Sequence, residues 1–206
     1  MAAAFIHGMI LAFGLILPLG VQNVFIFNQG AAHKRYVQAL PAIITASVCD
    51  TLLILLAVLG VSLVLLGAYW VKTVFLCAGI AFLLYMGWST WKSASSSGGG
   101  GSGAGQAFSP RKQMAFAASV SLLNPHAILD TVGVIGTSSL SYSGADKAAF
   151  ALAAILVSWI WFTGLATAGR ILGKLDSNGR FLAGLNKASA WVMWAVAVYM
   201  GLSLFR

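Results

Sequence analysis

The stretch LPLGVQNVFIFNQG, residues 17–30, interrupts the apolar run that opens the chain with a proline, a glycine and two side-chain amides in close succession. The apolar residues on both sides together have about the length that crosses a bilayer, roughly 20 residues. Hydrocarbon cannot hydrogen-bond the groups that Pro18, Gly20, Gln22 and Asn23 free or carry, so a spanning helix keeps such a break only where it is buried in protein or lines a cavity. The stretch thus predicts a helical membrane protein and marks a place within it where function is to be sought.

The rest of the chain agrees with the first half of that reading. Of 206 residues 60% are hydrophobic and only 8% charged, and the mean hydropathy is +0.91; soluble domains carry roughly 25% charged residues. The apolar runs are too numerous for a signal peptide, and the first, without a basic leader or a small-residue cleavage pattern, reads as a retained span. The net charge of +8 resides in short connections and not in a basic arm, which argues against a nucleic-acid partner. Cys49 and Cys77 fall inside predicted spans and read as small buried residues.

Six spans are predicted, near 3–29, 37–66, 71–91, 113–138, 147–170 and 187–205. Tyr69, Trp70, Trp88, Trp91, Trp191 and Trp194 cluster near their ends as interfacial anchors, whereas Trp159 and Trp161 lie deeper. The first, third and fifth connections hold Lys34 and Arg35; Lys92, Arg111 and Lys112; and Arg170, Lys174, Arg180 and Lys187, against Lys72 and Lys147 in the second and fourth. The excess places the odd connections in the cytoplasm and both termini outside.

Residues 93–110, SASSSGGGGSGAGQAFSP, have the composition of a flexible coil. They divide the chain into a three-helix repeat over 1–92, a cytoplasmic linker over 93–112 and a second three-helix repeat over 113–206. Two repeats of three spans insert in opposite directions, as in many secondary transporters. One offset of 107 residues lays Pro18 on Pro125 and Asn23 on Asp130. Both prolines break an apolar span and free backbone carbonyls. Half-helix ends of this kind favour an anionic group at their N-termini and a cation at their carbonyls.

The chain has four acids, all aspartate. Asp146 and Asp176 lie in connections and read as solvated. Asp50 and Asp130 lie inside spans two and four, where a charge costs about 2.5–3.5 kcal/mol on insertion scales. No Lys or Arg lies at the depth of Asp50; His7, near the outer end of its span, and His126 are the other titratable candidates. A neutral acid bonded across helices, or pairing with a helix-end base, would be the structural explanation. A cation arriving from solution is the functional one. Ser47, Thr51 and Thr131 stand beside the acids, though such hydroxyls usually bond their own backbone. Gly8 and Gly14 read as helix-packing positions.

LPLGVQNVFIFNQG at 17–30, ASVCDTLLILLAVLG at 46–60, LLNPHAILDTVGVIG at 122–136 and SWIWFTGLA at 158–166 resemble the signature regions of the LysE/ArgO family of basic amino-acid exporters. The resemblance implies an all-α membrane protein, six transmembrane helices in two inverted repeats, multi-pass in the cytoplasmic membrane. It also implies export of lysine, arginine or their analogues driven by the membrane potential or a proton gradient. Carried over by position, Gly20, Gln22, Asn23, Asp50, Asn124, Pro125 and Asp130 form the functional set. Val21 departs from the proline frequent in the family's first motif, leaving Pro18 to shape the break, and the glycine-rich tract replaces a longer, more charged loop.

The expected protein is a secondary exporter of cationic L-amino acids. Gln22, Asn23, Asp50, Asn124 and Asp130 contact substrate or coupling proton, while Pro18, Gly20 and Pro125 break or gate the helices. No cofactor, bound metal or enzymatic chemistry is expected, and a homo-oligomer stays open. The alternatives are export of a threonine- or homoserine-type amino acid or of a divalent metal cation, and a non-transporting membrane module, for which His126 near Asp130 is the one hint.

Overall fold

The computed structural model describes residues 1–17, 20–33, 35–60, 108–122 and 131–175, with isolated positions between 77 and 92, at 128 and between 184 and 202. Every element among them is helical. Helix α1 (Ala2–Ile16) is followed by α2 (Val21–Ala32), a 3-10 turn (Tyr36–Ala39), α3 (Leu40–Val58) and α4 (Pro110–Leu122). A π-helical segment (Thr131–Gly136), a helical turn (Thr137–Ser139) and α5 (Gly144–Leu175) complete the order.

The helix ends follow from local chemistry. Pro41 sits in the first turn of α3 and Pro110 opens α4, where the missing N–H has no helical partner to lose. Gly60 takes φ +77° and ends the second expected span at Val58, short of the expected 66. Gly144, at φ +51°, starts α5, with Asp146 in its first turn and Lys174 in its last, each favourable toward the helix dipole. Asp146 also faces the Met1 ammonium in an ion pair, so it is not merely solvated.

Tyr36–Val58 and Gly144–Lys174 are each long and apolar enough to cross a membrane. The expected first span at 3–29 is instead two helices, α1 and α2, inclined to each other by 81°. Of the expected fourth span, 113–138, the structure describes α4 up to Leu122 and the π-helical segment from Thr131, and most residues between them lie outside the described ones. The expected spans at 71–91 and 187–205 lie mostly outside the described residues, as does most of the linker. Trp91 nevertheless meets both Trp191 and Trp194, with ring centroids 6.2 and 5.8 Å apart, so the interfacial aromatics of these two regions pack together.

Helix α5 is the spine. It runs parallel to the bent pair, meeting α1 through Gly8 against Phe150 and Ala153 and α2 through Phe27 against Gly169 and Ala31 against Gly173. Helix α3 is antiparallel to α5, its Ile54 and Val58 clustering with Phe150, Ala151 and Ala154, and its Ala42 and Ala46 with Phe162 and Ala166. Helix α4 lies parallel to α3, with Gln113 beside Ala42 and Ser121 beside Cys49. The C-terminal ends of α2 and α5 and the N-terminal ends of α3 and α4 therefore meet at one end of the bundle, which carries Arg35, Arg111, Lys112, Arg170 and Lys174.

Without a hydrophobic force between helices in lipid, close packing by small residues has to hold such a bundle. A Cβ on Gly30 would strike the backbone of Ala166, and one on Gly169 the backbone of Phe27, so α2 and α5 touch through glycine on both sides. Gly8 packs as expected. At Gly14 no described atom lies within 4 Å of where its Cβ would stand, so no described helix packs on it. Cys49 is buried as expected, but Cys77 is exposed.

Candidate functional site

The break between α1 and α2 is built around unmet backbone groups. In a continuous helix the carbonyl of Ile16 would receive the N–H of Gly20, but Gly20 is the N-cap of α2 in extended conformation, φ −82° and ψ 174°. The Asn23 side chain fills the vacancy: its Nδ2 donates to the Ile16 carbonyl at 2.7 Å. Its Oδ1 accepts from the indole Nε1 of Trp161 on α5 at 3.3 Å. Asn23 is buried, and Phe13 in the last turns of α1 packs edge-on against the same indole. A side chain of α2 thus caps the end of α1 and is held by α5.

Asp50 stands one layer away on α3. Gln22, adjacent to Asn23, donates its Nε2 hydrogen to Asp50 Oδ1 at 3.2 Å, and the buried hydroxyl of Ser158 on α5 hydrogen-bonds the same carboxylate. Both are neutral donors; among the described residues no Lys or Arg forms an ion pair with Asp50. Thr51, next in the chain, donates to the carbonyl of Ser47 at 2.7 Å, the backbone habit expected of it, and accepts from Trp159 Nε1 at 3.2 Å. Ser47 itself is fully buried with an unpartnered hydroxyl. Three helices therefore converge at the break, and among the described residues the carboxyl group there has neutral donors for company.

Of the expected site residues, the structure gathers Gln22, Asn23 and Asp50 and sets Gly20 at the head of α2. Pro18, Asn124, Pro125 and Asp130 lie outside the described residues, as does His126; Thr131 opens the π-helical segment. His7 is at the far end, its Nδ1 2.8 Å from the Tyr142 hydroxyl. Ser158, Trp159 and Trp161 were not among the expected site residues. Their signal was the i, i+3 spacing of Ser158 and Trp161, which puts both on one face of a helix. Among the described residues no group of three His, Cys, Asp or Glu side chains is gathered for a metal.

The sequence profile of the LysE type translocator matches residues 13–204, nearly the whole chain and all of this site. The chain belongs to the LysE-type translocator family. A protein of Bacillus subtilis (strain 168) named "Putative amino-acid transporter YisU" is 59% identical over 202 residues, covering 98% of this chain and 90% of its own length. Arginine exporter protein ArgO of Escherichia coli (strain K12) is 32% identical over 201 residues, covering 97% and 94%. ArgO of Pectobacterium atrosepticum is equally similar, covering 97% of both chains. No solved structure matches. The family is one of translocators, and these relatives are named as a transporter and as exporters. The site of this LysE-type chain brings together a carboxyl group, side-chain amides and a helix break.

Proposed function

We propose that this chain is a secondary active exporter of cationic L-amino acids, arginine and lysine, across the cytoplasmic membrane, coupled to the proton gradient or the membrane potential. The observation that carries the reading is Asp50: a carboxylate among three apolar helices, beside a broken helix, joined by Gln22 and Ser158 and, among the described residues, by no cation. The ammonium or guanidinium of a basic amino acid, or a proton, would supply the missing charge. Gln22 and the N–H groups that open α2 would receive the α-carboxylate. The relatives named arginine exporters favour the same cargo.

The repeat belongs to this proposal. Displaced by 107 residues, α1 and α2 fall on 109–123 and 128–139, close to α4 at 110–122 and to the helical segment 131–139, and α3 falls within α5. The antiparallel course of α1 and α4 supports two inverted three-helix repeats, 1–92 and 113–206, joined by the linker. By that offset Asn124, Pro125 and Asp130 correspond in sequence to Leu17, Pro18 and Asn23, which is the ground for including them in the proposed site. The cations collected at one end of the bundle favour that end as the cytoplasmic one.

Proteoliposomes loaded with labelled arginine or lysine test the function. Gradient-dependent loss that threonine and Mn²⁺ fail to compete supports it. Loss no faster than from protein-free vesicles, with folded protein, rejects it, and competition by threonine or Mn²⁺ reassigns the cargo.

A further inference from the structure

A second buried and heavily bonded amide lies away from Asp50. Gln113, on α4, is fully buried at the basic end. Its Oε1 accepts the N–H of Ala42 at 3.3 Å, and its Nε2 stands 2.9 Å from the carbonyl of Gln38, four residues before Ala42. The amide of one helix is thus inserted into the step between the 3-10 turn and α3, taking both ends of a backbone i, i+4 pair. The same Nε2 is 2.8 Å from the carbonyl of Phe108, where the chain emerges from the linker, and 2.8 Å from Nε2 of His33, just past the end of α2. Phe108 is tied down a second time by its N–H to Gln29 Oε1 at 3.3 Å.

Counting hydrogens gives this cluster a chemical state. The Ala42 N–H fixes which way the amide points, so three acceptors face an NH₂ group with two hydrogens. The two carbonyls can only accept. His33 can share a hydrogen only while its Nε2 carries a lone pair; protonated, it presents an N–H to a nitrogen that accepts nothing.

We propose that Gln113 is a gate latch, holding α2, α3 and α4 closed at the basic end while His33 is neutral and releasing them when His33 takes a proton. The proposal rests on the transport reading for its purpose, since this end would be the cytoplasmic mouth of the path to Asp50. At this end of the bundle the 3-10 region carries Arg35 and Tyr36, α4 carries Arg111 and Lys112, and α5 carries Arg170 and Lys174. Lys34 follows His33 in the chain. No acid is described at this end; Asp50 lies eight residues along α3 from Ala42, roughly 12 Å. Burial lowers the His33 pKa from its ordinary 6.5. The closed cluster is therefore fully favoured above pH 6.5, and is progressively disfavoured as pH falls below it, because the open form binds the proton first.

Cys49 reports on the latch. It is buried against α4 beside Ser121, eight residues inward of Gln113. The full chain carrying Cys77→Ser, in nanodiscs that leave both faces accessible, is labelled with a small cationic methanethiosulfonate, with and without His33→Gln. Thiolate content falls with pH in both proteins alike, so their rate ratio isolates the latch. The expected ratio is about 1 near pH 7.5 and roughly fivefold or more in favour of His33 near pH 5.5. Gln113→Ala should label rapidly at both. A ratio of one at both pH values overturns the proposal. Labelling needs no substrate, so failure of arginine efflux leaves this outcome readable, and failure of the latch leaves the cargo assignment standing.

Discussion

Trp161 and Asn23, 138 residues apart in the chain, are joined by a 3.3 Å hydrogen bond, and Asn23 passes that restraint on to the carbonyl of Ile16. The C-terminal half of the chain therefore takes part in setting the geometry of the break. Trp161→Phe keeps a ring against Phe13 and removes the donor. A neutral hydrogen bond contributes about 0.5–1.5 kcal/mol. Initial efflux should fall roughly two- to tenfold at unchanged inserted amount; an unaltered rate would separate the relay from transport.

Asp50→Asn preserves an acceptor for Gln22 and Ser158 and deletes the charge. A hydrogen bond to a charged group contributes about 1.5–3 kcal/mol, so substrate affinity should weaken by roughly 10- to 100-fold or more. Binding of labelled arginine to the detergent-solubilised protein measures this without transport. Asp130→Asn should behave alike under the repeat proposal.

Ser158→Ala tests the contribution of α5 to the same carboxylate. The acid stays and one donor goes, so apparent affinity should change by roughly tenfold or less while export persists. A concentration series of internal arginine distinguishes this from the loss expected at Asp50.

Two glycines should respond oppositely to alanine. Gly169→Ala puts a methyl group into the backbone of Phe27 and must part α2 from α5, a destabilisation of about 1–3 kcal/mol. Gly14→Ala, in the last turn of α1, meets no described atom and should be neutral, or stabilise by up to about 1 kcal/mol. Thermal unfolding of the purified proteins reads both.

What one-dimensional chemistry can express was legible before any coordinates. Apolar runs, the lone acid in span two and the proline and amides in span one are properties of single segments, and Gln22, Asn23 and Asp50 followed from them. Gly14 shows the boundary. Glycine in an apolar helix looks the same whether a neighbour touches it or lipid does, so Gly8 and Gly14 read alike and only Gly8 packs on a described helix. The angle within the span expected at 3–29 lies beyond the sequence in the same way: Pro18 and Gly20 mark a break, but hydropathy does not register an 81° change of direction. Asn23 was expected to face substrate; its amide is already engaged with a backbone carbonyl that only the break exposes.

By itself, then, the sequence determined that this is a helical membrane protein with an acid and broken helices where hydrocarbon would exclude them, since insertion energies act residue by residue along a segment. Only the tertiary structure decided the company those residues keep. Ser158 and Trp161 reach the break, and Gln113 reaches the step between Gln38 and Ala42, because α5 and α4 pack there. Hydrogen bonds between segments 71 to 138 residues apart depend on helix direction and register, which no local pattern carries.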